Sequence, residues 1–276
     1  MTDSVLSVKN AHVQIGEKTI IEGCDLEVKA GELVAVIGPN GAGKSTLVRA
    51  AAGMQKLTSG SVAWQGTDLG DLRGRKLART RAFVPQNARV PAGVKVREAV
   101  TIGRSPHIGP MRGPGRHDHE AIERAMLRGG IFDLADRFLN TLSGGELQRV
   151  QLAVALAQEA PALIADEPTA HLDLGATSMM AGLMRSLANE GLAVVLVVHD
   201  LALAAAVSDR VVVLSRGKTV ANGPAREVLD AELLAEVWHV DAELESTTDG
   251  RTALHVHWLG TLSNRTSPQK IEELVR

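Results

Sequence analysis

Apolar and polar residues alternate along VLSVKNAHVQI (residues 5–15) and again along DLEVKAGELVAV (residues 25–36), the period-two pattern of strands that bury one face. The second stretch runs into LVAVIG (33–38), where alternation gives way to an unbroken apolar run. That change predicts antiparallel strands feeding a buried parallel strand. TLVRAAAG (46–53) has helical composition and stops at Gly53, and LQRVQLAVALAQ (147–158) repeats Leu147, Val150 and Val154 on one helical face. Three later apolar runs, PALIAD, AVVLVVHD and RVVVLSRG, are bounded by polar or Gly/Pro residues and separated by helix-length segments, so they predict three more buried strands. Between Pro85 and Leu142 the breaks PAG, SPHIGP and MRGPGRH separate short helix-compatible stretches at 96–103 and 119–128, which reads as an inserted helical lobe. Near the end, alternation on both sides of Asp249-Gly250 predicts a small hairpin with its turn at that dipeptide. The expected division is a core of 1–86 and 146–260, a lobe of 87–145 and a polar tail of 261–276 with no chemistry in it.

Composition narrows the class. With 276 residues and 45% hydrophobic content the chain can bury a sizeable core, and 30 basic against 32 acidic residues leave no dense positive stripe for nucleic acid. The apolar run 192–198 is far too short to cross a bilayer, and the first ten residues lack the pattern of a secretory leader, so a cytosolic chain is expected. Cys24 is the sole cysteine, expected to be a buried small side chain. Aromatics make up 2% with no tyrosine, so few residues can stack on a base.

Residues 38–46 read GPNGAGKST, the phosphate-binding pattern G-x-x-x-x-G-K-[ST], between a predicted strand and a predicted helix as that motif requires. Gly38, Pro39, Asn40, Gly41, Ala42, Gly43 and Thr46 form the ATP-binding loop with Lys44 and Ser45, its glycines letting the backbone curl so that successive N–H groups point at phosphate oxygens; Lys44 adds a mobile cation, and Ser45 offers a hydroxyl to Mg2+. The chain is therefore expected to bind a nucleoside triphosphate. LIADEP (163–168) delivers two adjacent carboxylates at a strand end, where α/β sheets place their ligands. Asp166 suits the Mg2+ shell, while Glu167, pointing past the metal, can orient and deprotonate a water. His199 closes another apolar strand, where its imidazole can reach a γ-phosphate. Gln86 follows FVP at the mouth of the lobe, and its amide can touch both the metal shell and the water. LSGGE (142–146) opens a helix with Ser143, Gly144 and Gly145; alone it would be only a cap, yet its free N–H groups also suit a phosphate.

GPNGAGKST, Gln86, LSGGE, LIADEP, the run Ala170, His171, Leu172 and Asp173, and His199, in this order and spacing, resemble an ATP-binding-cassette ATPase across nearly the whole chain. The resemblance implies an α/β fold with a P-loop NTPase (RecA-like) core, an antiparallel β subdomain and an inserted helical signature subdomain. It also implies a head-to-tail homodimer, in which Ser143 and Gly145 of one copy bind the γ-phosphate held by the other and Asp173 links the two sites. One position departs from the family pattern: the residue before Gly16, where an aromatic ring normally stacks on adenine, is Ile15. Base stacking is worth roughly 1 to 3 kcal/mol, so weaker ATP binding and ATP/GTP discrimination below a hundredfold are expected.

The motif Gly103, Arg104, Ser105, Pro106 and His107 and the terminal hairpin are similar to features of importer subunits serving haem, siderophores or cobalamin. That branch implies a peripheral position at the cytoplasmic side of the membrane, integral membrane permease subunits contacting the region of Gln86 and 90–104, and an extracytoplasmic substrate-binding protein. An exporter subunit and a soluble cofactor-assembly ATPase are the alternatives. His107, His117, His119, His255 and His257 suggest a metal site, but 117–120 beside Pro and Gly reads better as a solvated loop entering a helix.

Overall fold

The computed structural model describes residues 4–86, 91–109, 112–170, 172–246 and 252–257. The first two alternating stretches form β1 (Ser4–Ile15) and β2 (Lys18–Lys29), long antiparallel strands joined by a tight turn. β3 (Leu33–Ile37) follows with all five residues buried, then the phosphate loop and α1 (Lys44–Ala51). β4 (Ser59–Trp64) returns to pair with β1, and β5 (Thr67–Asp68) with β4, completing a four-stranded antiparallel sheet. α2 (Arg75–Thr80) leads into β6 (Ala82–Val84).

The lobe then contributes α3 (Val96–Ile102), α4 (Arg116–Arg128) and α5 (Gly144–Ala157). Beyond it the chain alternates β7 (Ala162–Asp166), α6 (Leu174–Asn189), β8 (Ala193–Val197), α7 (Leu201–Val207) and β9 (Arg210–Ser215). β10 (Lys218–Gly223), α8 (Ala225–Val228), α9 (Ala231–Trp238), β11 (Ala242–Ser246) and β12 (Thr252–Val256) finish the described chain. The central sheet has the order β10-β9-β3-β8-β7-β6 and is parallel except for the β10 edge.

The apolar runs of β3, β7 and β8 have no polar alternation because both faces of this sheet are covered. Val34, Val36, Ile164, Val195 and Val197 pack on α1 and the antiparallel sheet, with Leu47, Val48 and Trp64. Leu33, Ala35, Ile37, Leu163, Val194 and Leu196 face the other way, against Met180, Met184 and Leu187 of α6, Ala204 of α7 and Leu234 of α9. A third cluster, Val96, Val100, Ile122, Met126, Val150 and Ala153, is the lobe's own core. α5 straddles the expected boundary at 145/146. Its Val150 and Ala153 pack in the lobe, whereas Leu152 and Ala155 pack on the central sheet.

Several elements were not evident in the pattern. β6 is three residues long, β10 is half exposed, and β4 mixes Ser and Gly with its apolar positions. One expectation fails: residues 117–120 are not a loop but the first turn of α4. Asp118 explains the difference, because its carboxylate accepts the Gly115 N–H at 2.9 Å and so starts the helix earlier than the Gly/Pro-rich approach suggests. The terminal hairpin is present, β11 pairing antiparallel with β12, while its expected turn at Asp249-Gly250 and the tail after Gly260 lie outside the described residues. Cys24 is fully buried, its thiol 3.1 Å from the Gly217 carbonyl, and burial pushes the thiol up.

Candidate functional site

The predicted loop, carboxylates, glutamine and histidine converge at the carboxyl ends of β3, β7 and β8. Gly38 has φ +148°, and a Cβ there would lie 2.1 Å from the Leu214 carbonyl oxygen. Only glycine lets the loop leave β3 beside β9. Gly43, at φ +101°, begins α1 with no side-chain cap, so the first helical N–H groups are free for an anion. Lys44 is buried, its Nζ donating to the carbonyls of Gly38 at 2.8 Å and Pro39 at 3.1 Å. Burial holds its ammonium below the ordinary lysine range, with the carboxylates of Glu167 and Asp166 opposing that shift.

Asp166, the last residue of β7, is 0% exposed. One carboxylate oxygen accepts the Ser45 hydroxyl at 2.8 Å; the other has no hydrogen-bond donor and only the Arg49 guanidinium, 3.3 Å away. Burial pushes this carboxyl above the ordinary Asp range, the Ser45 bond and Arg49 pull it down, and the Glu167 charge adds to the rise. Arg49 was not among the residues singled out in the sequence. The signal was there, since it stands four residues after Ser45 on α1 and therefore on the same face.

Glu167 adopts φ +54°, a conformation that non-glycine residues rarely hold and that concentrates at functional sites. Its N–H is fixed by the Val197 carbonyl at 3.1 Å, so β8 clamps the turn. The carboxylate is engaged on both oxygens: the His199 Nε2 stands 2.6 Å from Oε1, and the Gln86 amide donates to Oε2. Because a carboxylate only accepts, His199 carries its proton on Nε2 here. Three side chains from β8, β7 and the end of β6 thus form one unit, with His199 48% exposed at its open side.

The remaining predicted residues have other partners. Ser143 caps α5, its hydroxyl accepting the Glu146 N–H at 3.3 Å while Glu146 accepts the Ser143 N–H at 2.7 Å. Ser143 and Gly144 are exposed, a bare helix tip. Asp173 caps α6 through the Ala176 N–H at 2.7 Å. His171 lies outside the described residues. Ile15 is 52% exposed at the end of β1. The other histidines are dispersed: His107 meets a backbone carbonyl, His117 meets Arg104, and His255 and His257 pair with Glu245 and Glu243 at 3.4 and 3.9 Å. Among the described residues no group of three or more His, Cys, Asp or Glu could hold a metal, and no helix is long and apolar enough to cross a membrane.

A phosphate loop under a parallel sheet, with a metal-type aspartate and a clamped glutamate at the neighbouring strand end, defines a P-loop nucleoside triphosphatase. Residues 21–170 match the ABC transporter family, and the chain belongs to that family of ATPases. It is 42% identical over 238 residues to the hemin import ATP-binding protein HmuV of Rhodococcus jostii, covering 86% of this chain and 81% of that one. The fold is similar to a metal-chelate type ABC transporter in an inward-facing conformation, with a TM-score of 0.79 at 26% identity over 92% of this chain and 96% of the other. It is also similar to a dimeric post-hydrolysis ATP-binding cassette bound to ADP and Pi, with a TM-score of 0.71 at 27% identity, covering 80% and 99%.

Proposed function

We propose that this chain is the ATP-hydrolysing subunit of an importer, in which two copies clamp two ATP molecules with Mg2+ and drive a haem, iron-chelate or cobalamin-type solute through a separate membrane permease. The observation that carries the chemistry is Glu167, held on both oxygens by Gln86 and His199 beside the buried Asp166 and Ser45. Import and solute class rest on similarity to a hemin import protein and a metal-chelate type transporter, and pairing rests on similarity to a dimeric cassette. On this reading the chain sits peripherally at the cytoplasmic side of the membrane, with a permease and an extracytoplasmic binding protein as partners.

Ser45 and Asp166 fit Mg2+: the second oxygen of this fully buried carboxylate has no hydrogen-bond donor and only the half-exposed Arg49 guanidinium 3.3 Å away, so it is a hard oxygen ligand that a divalent cation can take. Gln86, whose Nε2 is used on Glu167, keeps its Oε1 for the same ion. When bound, Mg2+ neutralises charge on the β- and γ-phosphate oxygens. The loop amides and Lys44 hold those phosphates, a role for which the lysine needs only to exchange its two carbonyl acceptors for phosphate oxygens. Glu167 retains a lone pair on each oxygen and accepts the proton of a water attacking the γ-phosphorus in line, while the His199 Nε2–H keeps Oε1 in place. Ser143 and Gly145 of the second copy complete the phosphate cage, and Asp173 lies near the contact.

Glu167→Gln tests this. ATP binding should persist, because the cradle is intact, while turnover falls about 10²- to 10⁴-fold and a closed dimer accumulates with MgATP. Light scattering that finds only monomer under saturating MgATP, or turnover near wild type, overturns the reading.

A further inference from the structure

The segment 103–107 touches nothing in the nucleotide site, yet each of its residues makes a specific contact. Gly103 ends α3 against α5 so closely that a Cβ would lie 2.3 Å from the Val154 carbonyl oxygen. Arg104 is 1% exposed and spends its guanidinium on Asp118 at 2.9 Å, the Ala157 carbonyl at 2.8 Å and Glu159 at 2.6 Å. The Ser105 hydroxyl donates to the Ile102 carbonyl at 2.5 Å. The Pro106 carbonyl accepts the Arg79 Nε–H at 2.9 Å. The His107 Nε2 lies 2.8 Å from the Gln158 carbonyl, and since a carbonyl only accepts, the imidazole donates.

Gln158 passes the connection on. Its side-chain amide donates to the carbonyls of Ala78 and, at 2.7 Å, Arg81. Arg81 in turn donates from Nε and Nη2 to the Ala52 carbonyl at 2.9 and 2.6 Å, and Ala52 is the C-cap of α1, the helix that begins in the phosphate loop. Lobe and phosphate-loop helix are therefore joined by one run of hydrogen bonds through His107, Gln158 and Arg81. The ion pair that Arg128 of α4 makes with Glu190 at the end of α6 is exposed on both sides and screened by salt.

The contacts that the lobe makes in this run, to Ala157, Gln158 and Glu159, gather at the C-terminal end of α5. The helix spans fourteen residues, about 21 Å at 1.5 Å per residue, and its opposite end is the bare Ser143 tip. We infer that residues 103–107 with Gln158 form the joint on which the lobe is hung, so that His107 and Gln158 are positioning residues: they tie the fixed end of α5 to α1 and set where its free tip meets the nucleotide of the second copy. This rests on the proposal above that the Ser143 tip completes the partner's site.

The test is run on the full chain carrying Glu167→Gln. Replacing His107 by Leu, or Gln158 by Leu, should raise the MgATP concentration for half-maximal dimerisation about three- to thirtyfold, the usual range for residues that carry coupling between sites. ATP affinity of the dilute monomer should change less than about twofold, because the cradle itself is untouched. His107→Gln, which restores an N–H donor, should recover most of the loss. If the Glu167→Gln parent does not dimerise, the two-copy reading fails. If the parent dimerises and His107→Leu and Gln158→Leu dimerise at the same MgATP concentration, the joint fails alone. A parallel drop in melting temperature, monomer affinity and dimerisation, with no recovery by His107→Gln, also overturns it by reducing these contacts to ordinary packing.

Discussion

Two clusters of charge lie in this chain, and they are built on opposite terms. In the lobe, Arg104 finds two carboxylates and a carbonyl, and the charges answer one another. Asp118 is held below the ordinary range chiefly by the Gly115 N–H; burial opposes this, and the hydrogen bond and charge of Arg104 add to the lowering. Burial pushes Glu159 up, but hydrogen bonds from Arg124 and Arg104 outweigh it and leave that carboxyl low. At the phosphate loop the signs are reversed: burial lowers Lys44 and raises Asp166, disfavouring the charge on each. Glu167 sits at positive φ beside them. A cluster that satisfies itself is architecture; one that leaves its charges wanting partners is a receptor for a polyanion and a cation.

The largest stability effect should come from the lobe. Arg104→Leu removes a fully buried guanidinium with its charge-assisted bonds to Asp118 and Glu159 and leaves the buried Ala157 carbonyl without its donor, which should cost about 3 kcal/mol in denaturant unfolding. An unchanged unfolding midpoint would erase the contrast. Next comes the receptor side, where MgATP at a hundredfold excess over its Kd should stabilise the protein by about 2.7 kcal/mol. Lys44→Ala should abolish both that gain and turnover; a variant still stabilised by MgATP would show that the lysine does not hold phosphate.

The smallest effect, under about 1 kcal/mol, concerns pH. Asp118 and Glu159 are depressed in the folded state, so their contribution is present above the ordinary carboxylate pKa and lost as pH falls below about 4. Asp166 is raised, so its contribution runs the other way: ionisation in the fold is penalised, and the penalty is relieved as pH drops through its raised value. Asp166→Asn should therefore be slightly more stable than wild type near neutrality in nucleotide-free urea titrations and lose that advantage in acid. A less stable Asn variant at pH 7 would place Asp166 with the self-satisfied group.

Much of the receptor was legible in the sequence because its chemistry needs fixed residue types at fixed spacing. Gly38, Lys44, Ser45, Asp166, Glu167 and His199 all fall at the ends of strands or in the loop that the apolar runs announced. What the sequence hid was long-range pairing. Nothing local ties Gln86 to Glu167, eighty-one residues away, or Arg81 to Ala52. The lobe's charge hub was invisible for the same reason, whereas residues 117–120 look like a loop for a local one: polar residues beside Gly and Pro hide the helix start that the Asp118 carboxylate makes by accepting the Gly115 N–H. β6 and β10 escaped because three residues, or a half-exposed edge, carry too little periodicity to detect.

The sealing of Cys24 has a practical side. A thiol with no solvent access and a raised pKa is a poor target for maleimides or alkylating reagents at neutral pH, so the chain arrives already silent to thiol labelling. New cysteines at exposed positions such as Asn40 on the loop and Ser143 on the helix tip would be the sole reactive handles. Fluorophores or crosslinkers attached there would follow the approach of one copy to another in real time, with no background residue to remove first.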